Sequence, residues 1–217
     1  MKCKNKIKLL VLFLTSLLTF LNFYNLKCQG FQSLQNKFLE SHNDVERSLV
    51  IEGKSNEKYE NLSEYLFKNI SNDYNGALTN EKSANSKILK INSQNFNMEI
   101  QVFNENKSSF RIIFSTKNKK ENLEAVKKNI NYLLNEKAFD LRYFQEIKGR
   151  IEIEEDMKKT LIKQLESLGI KKYSLLKISN GYTGEAELGN STINFAICTY
   201  EKKSYIIIGE PIIISTY

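Results

Sequence analysis

The sequence predicts an α+β fold, an antiparallel sheet with helices on one face, and three observations carry that expectation. Residues 96–103 and 110–116 alternate apolar and polar side chains, the pattern of a sheet buried on one side only. Residues 59–70, 120–137 and 157–168 repeat apolar side chains every three or four positions, which gathers them on one helical face. A strand-then-helix stretch, Phe139 to Ile170, has a degenerate counterpart at Asp44 to Ile70. One unit is therefore expected twice in a single domain over 44–217, as repeat one (44–138) and repeat two (139–217).

The chain opens differently. Lys2, Lys4, Lys6 and Lys8 precede an uncharged, Leu- and Phe-rich run of 18 residues from Leu9 to Leu26. A basic head before an apolar run is the export-signal pattern. Small residues at Cys28 and Gly30 place a cut before Phe31. The run also approaches the roughly 17–25 residues of a membrane span, so residues 1–30 read as a signal peptide or signal anchor. Either form places the rest outside the cytoplasm, secreted or held to the membrane through residues 9–26. Asn25 and Lys27 occupy positions where a lipidation motif at Cys28 needs aliphatic and small residues, which excludes that modification.

Residues 31–43 read as a tether with a short helix spaced by Leu34, Phe38 and Leu39. A strand over 44–54 ends at Gly53. The next helix carries Tyr59, Leu62, Leu66 and Ile70 on one face, with Asn56 as the expected N-cap, whose side chain can accept from free amides of the first turn. Residues 72–86 read as a loop. Strands follow at 87–92, 96–103 and 110–116, then a helix over 120–137 with Leu123, Val126, Ile130, Leu133 and Leu134 as its stripe. The strand from Phe139 alternates to Ile153, with a bend or bulge expected at Gly149, where a missing side chain relaxes the backbone. Glu154, Glu155 and Asp156 fit the positive end of the following helix's dipole, which accounts for them without acid chemistry. Met157, Leu161, Leu165 and Leu168 form that helix's stripe, and Gly169 fits the position after its end. Strands at 172–179, 191–200 and 204–209 lead to Pro211 and an apolar tail.

Charge and cysteine content narrow the function. The chain carries 32 Lys+Arg and 25 Asp+Glu, a net +7, but five of the lysines and none of the acids lie in residues 1–30. From Phe31 onward the balance is 27 against 25, or +2. A nucleic-acid binder shows a concentrated basic footprint, so no nucleic acid is expected. Cys198 is the one cysteine beyond residue 30, which leaves no intramolecular disulfide and no thiolate metal site. The core alone must hold 187 residues, which is feasible at that size.

Three runs near the C-terminus carry a family resemblance: Asn180-Gly181-Tyr182-Thr183, Thr192-Ile193-Asn194-Phe195-Ala196, and Ile208-Gly209-Glu210-Pro211-Ile212-Ile213, with Tyr217 at the end. In this order they resemble the YwmB family, exported proteins of spore-forming Gram-positive bacteria. Glu210 departs from the small or neutral residue expected between Gly209 and Pro211. The resemblance implies a curved, saddle-like sheet similar to that of the TATA-box-binding protein, and it brings no catalytic residues with it.

The expected function is a non-catalytic binding or interaction module at the cell envelope, with no cofactor, no metal site and an envelope protein or glycan as partner. Self-association is a further expectation. The candidate face is the uncovered side of the sheet, with Asn97, Glu99, Gln101, Arg111, Arg142, Lys148, Arg150 and Asn194. Two other function classes stand against this expectation. Minor-groove DNA binding would use apolar wedges, for which Phe103 and Ile113 qualify, but the charge balance and the export signal oppose it. A wall hydrolase would need a carboxylate pair, which leaves little local signature. His42 is the only histidine, and no nucleophile-elbow, zincin or P-loop pattern occurs.

Overall fold

The computed structural model describes residues 30–153, 156–189 and 191–215. Residues 1–29, which hold nearly all of the expected export signal of 1–30, and Glu154, Glu155 and Tyr217 lie outside the described residues. Among these residues are four helices, α1 (Phe31–Ser41), α2 (Tyr59–Asp73), α3 (Leu123–Leu134) and α4 (Met157–Ser167). The strands are β1 (Val45–Ser55), β2 (Ala77–Lys82), β3 (Ser86–Asn92), β4 (Phe96–Phe103), β5 (Ser108–Thr116), β6 (Phe139–Ile151), β7 (Leu176–Ile178), β8 (Gly181–Leu188), β9 (Ser191–Tyr200) and β10 (Lys203–Glu210). They form one open, curved antiparallel sheet in the order β2-β3-β4-β5-β1-β6-β10-β9-β8-β7. Strands β1 and β6 lie side by side in the middle, each starting a series that returns beside it.

Apolar periodicity decides which face each element buries. Met98, Ile100 and Val102 of β4 and Phe110, Ile112 and Phe114 of β5 are buried, while the residues between them are half-buried or exposed. They meet the α2 stripe of Tyr59, Leu62, Leu66 and Ile70 and the α3 stripe of Leu123, Val126, Ile130 and Leu134 in one core. A second core joins Ile147, Ile193, Phe195, Ile197, Ile206 and Ile208 to Leu161 and Leu165 of α4.

Helix ends follow local chemistry. The Asn122 side chain accepts from the Glu124 and Ala125 amides at 3.1 and 3.2 Å, starting α3. Asp156 accepts from the Lys159 amide at 2.9 Å and starts α4. Gly169 takes φ 84° just past α4, and the Ile170 amide donates back to the Leu165 carbonyl at 2.8 Å, which satisfies a last-turn carbonyl. At α2 the expected Asn56 cap does not form. Lys58 occupies the N-cap without a side-chain bond, and Ser55 Oγ instead accepts from the Glu57 amide at 3.1 Å.

Two strands lie where none was expected. β2 falls in the expected 72–86 loop, and every residue of it is exposed. An edge strand with no buried face leaves no alternation to read. β8 begins at the Gly-Tyr-Thr run and, with two glycines, presents a weak strand signal; it pairs with β9 along its whole length. Conversely, the strand expected at 172–179 is reduced to β7.

The bend expected at Gly149 lies elsewhere. Gly149 pairs in register with Val45 and with Ile206, whereas the β1–β6 register shifts between Glu52 and Lys54, beside Asp140 at φ 54°. Close approach explains Gly149 instead. A Cβ there would meet Phe38 ring carbons at 2.6 and 2.8 Å. Helix α1, expected within a tether, is thereby part of the domain. Phe31, Leu34 and Phe38 are buried in the second core, and Lys119 Nζ donates to the Leu39 and His42 carbonyls at its end, both at 2.6 Å.

Candidate binding face

Strand register sorts side chains onto two faces. Pairing of Glu52 with Arg111 and Arg142, of Gln101 with Arg111, of Lys148 with Ile207, of Arg150 with Tyr205 and of Asn194 with Gly209 places these residues on the side opposite Ile112, Ile147 and Ile206. Asn97 and Glu99 share the Gln101 side of β4, because alternate residues face alike. All eight candidate residues therefore share the face that the described helices leave open, but they do not converge into one site.

On β4, Asn97 is exposed and Gln101 hydrogen-bonds Glu99. Arg111 and Arg142 meet at Glu52. Glu52 Oε2 lies 2.9 Å from a terminal nitrogen of Arg142, and Oε1 lies 3.4 Å from Arg111 Nε. The second contact is charge proximity without an aligned hydrogen bond, since Arg111 Nε is buried and has no hydrogen-bond partner. Beside this trio opens a cleft of about 760 Å³, lined also by Phe103, Glu105, Ser109, Phe110, Asp140 and Leu141. Lys54 and Asp140 pair across it at 3.4 Å.

Lys148 belongs to a separate group. Its ammonium sits 4.8 Å from the Tyr200 ring and 4.6 Å from the Tyr205 ring, donates to Tyr200 Oη, and the two rings stack at 4.7 Å. Burial pulls the Lys148 pKa down, but the Tyr200 hydrogen bond and the charges of Tyr200, Glu46 and Tyr205 outweigh it and leave it raised. Beneath lies Cys198, wholly buried. Burial raises its thiol pKa against the opposing pull of Lys148, the reverse of what a reactive cysteine needs.

Val50, Ala196, Cys198 and Ile207 point to the open side by register yet are buried. After Pro211 the tail turns back over the same side. Its Ile212 carbonyl occupies the place a Gly209 side chain would fill, and Glu146 Oε2 accepts from the Ile214 and Ser215 amides at 2.7 and 2.9 Å.

Glu52, Glu146, Tyr200 and Tyr205 were not among the candidates. Glu52 alternates outward from Leu49 and Ile51, a signal that was present, but nothing local names its partners. His42 stacks on Phe38 at 4.1 Å, and its Nδ1 lies 3.1 Å from the Phe38 carbonyl. Among the described residues no group of three His, Cys, Asp or Glu could hold a metal ion, and no helix is long and apolar enough to cross a membrane.

Comparison with known proteins adds little to this geometry. No known protein family and no curated protein matches the chain. Among solved structures it aligns with DynU16, a protein of the dynemicin biosynthetic locus, at 12% identity over 77% of this chain and 86% of that one. The TM-score of 0.24 carries no argument about fold or function.

Proposed function

We propose that the chain is an exported, non-catalytic binding module of the cell envelope of a spore-forming Gram-positive bacterium, with a protein or glycan received on the helix-free sheet face. The observation that carries the reading is the trio Arg111–Glu52–Arg142 beside an open cleft on that face. Export rests on the basic and apolar pattern of residues 1–30. Among the described residues of the face, the one cysteine is buried.

Kinship with the YwmB family and a TATA-box-binding-protein-like architecture belong to the same proposal. Their support is the strand order, which reads alike from either end if β1 exchanges with β6, β5 with β10, β4 with β9, β3 with β8 and β2 with β7. Helix placement agrees: α3 precedes β6 but packs in the core of β1, while α1 precedes β1 but packs in the core of β6. The repeated unit is then helix, strand, helix, four strands, and α1 is its first element. On this reading β3 corresponds to β8 and β2 to β7. DNA binding does not follow, because Glu46, Glu52, Glu99 and Glu146 intersperse the bases of the central strands, and a shared fold does not carry function.

Sedimentation with purified cell wall and with membrane vesicles tests the reading. The protein should pellet with one of them, and Arg142→Glu combined with Arg150→Glu should abolish it. Equal pelleting of both proteins, or none, overturns the reading. Release of soluble wall fragments would show a hydrolase instead.

A further inference from the structure

We propose that the cleft beside Glu52 binds an acidic sugar, a hydroxylated ring bearing one carboxylate or phosphate. The proposal rests on the binding-module reading and names the ligand class for that face.

The anion site comes from the register. Glu52 stands between Arg111 on β5 and Arg142 on β6, strands that flank β1 at roughly 4.7–4.9 Å each. Its two oxygens face one arginine each, which holds both guanidinium groups at the cleft with a net charge of +1 for the trio. Neither the terminal nitrogens of Arg111 nor the second terminal nitrogen of Arg142 has a protein acceptor among the contacts of these residues. A guanidinium presents its donors as a planar fork that matches carboxylate and phosphate oxygens. Glu52 holds Arg111 by charge at its Nε, which has no hydrogen-bond partner, and so leaves the terminal nitrogens for such a ligand.

The rest of the cleft selects against a polyanion. Lys54 is paired with Asp140, and the Ser109 hydroxyl donates to Glu105 at 3.1 Å. The +1 of the trio matches one negative charge, while Glu105 brings the whole lining to neutral, three cations against three acids, so a second negative charge finds no counterpart. Glu105 and Asp140 offer acceptor oxygens to hydroxyl groups, while Phe103, half-buried on the Arg111 side of the sheet, supplies an apolar wall. A sugar ring has both features, hydroxyl donors at its edge and C–H groups on its face. The volume of about 760 Å³ lies within the roughly 300–1,000 Å³ of small-molecule sites.

Calorimetric titration of the full chain in mild detergent tests this, with glucuronate, glucose 6-phosphate, glucose and inorganic phosphate as probes. At least one of the two acidic sugars should bind saturably, about tenfold or more tighter than glucose or inorganic phosphate, as expected when a charged donor pair and an apolar wall act together. The tighter of the two identifies the anion as carboxylate or phosphate. Arg142→Gln, at an exposed position, and Arg111→Gln should each weaken binding about tenfold or more, with unchanged circular dichroism. Lys163→Gln, an exposed residue of α4 outside the candidate face, should bind as wild type. Absence of saturable binding of both acidic sugars, or undiminished binding by folded Arg142→Gln, overturns the proposal. If the wild type still pellets with envelope material while neither acidic sugar binds, the sugar site fails and the broader reading stands. If an acidic sugar binds through both arginines but nothing pellets, the site stands and the envelope reading fails.

Discussion

Replacing Gly149 with alanine tests how α1 is joined to the sheet. The new methyl would lie 2.6 and 2.8 Å from two Phe38 ring carbons, against about 3.5–4.0 Å for an ordinary carbon–carbon contact, an overlap near 1 Å. Phe38 has no accessible surface and stacks on His42 at 4.1 Å, so its ring yields only if the end of α1 moves outward. Overpacking of this kind costs about 1–3 kcal/mol. Alanine also restricts the unfolded chain, which returns about 0.4–1 kcal/mol, so the expected net loss is about 0–2.6 kcal/mol. Urea denaturation followed by circular dichroism measures it, and the chain has no tryptophan to report instead. Phe38→Leu makes room at the same contact. In a double-mutant cycle the pair should be less destabilised than the sum of the singles by about 0.5–3 kcal/mol. Stability of Gly149→Ala above wild type, or strict additivity, would refute the packing of α1 on β6.

Three further perturbations address other joints. Burial lowers the His42 pKa from 6.5, aided by the charge of Lys119 and opposed by the hydrogen bond at the Phe38 carbonyl. The unfolded chain therefore binds the proton more readily, so stability rises with pH between the lowered value and about 6.5 and is lost as pH falls through that window. His42→Phe should remove this slope from the difference between two denaturation series, and an unchanged slope would sink the assignment. Glu146→Gln removes a charged acceptor from the tail, so hydrogen exchange at the Ile214 and Ser215 amides should speed about tenfold or more; unaltered exchange would show that the tail is held otherwise. Asn122→Ala deletes the α3 cap and should cost about 1 kcal/mol, read as a lowered urea midpoint, with Asn122→Asp close to wild type.

Much of the core was legible because it is local. Met98, Ile100 and Val102 alternate, and Leu123, Val126 and Ile130 recur at helical spacing, so each segment states its own buried side. Asn122 was not singled out as a cap, although Asp156 at a helix start and Gly169 after a helix end were. The sequence was silent at β2, where both faces are wet, and misleading at Asn56 and Gly149, where a residue's type matched a role that its neighbours did not need. Gly149 is small because a ring from another element lies above it, and that ring belongs to a segment which by itself reads as a tether.

The candidate face divides the same way. Alternation along each strand was enough to put Asn97, Glu99, Gln101, Arg111, Arg142, Lys148, Arg150 and Asn194 on a common side, since a strand's period of two is a property of its own backbone. Which of them meet was decided only in the folded sheet. Arg111 and Arg142 come together because β5 and β6 flank β1 in one register and Glu52 lies between them, while Lys148 is drawn instead to the stacked pair Tyr200 and Tyr205. Sequence determines the side on which a residue points; pairing between distant strands, a cooperative choice of the whole chain, determines its neighbours.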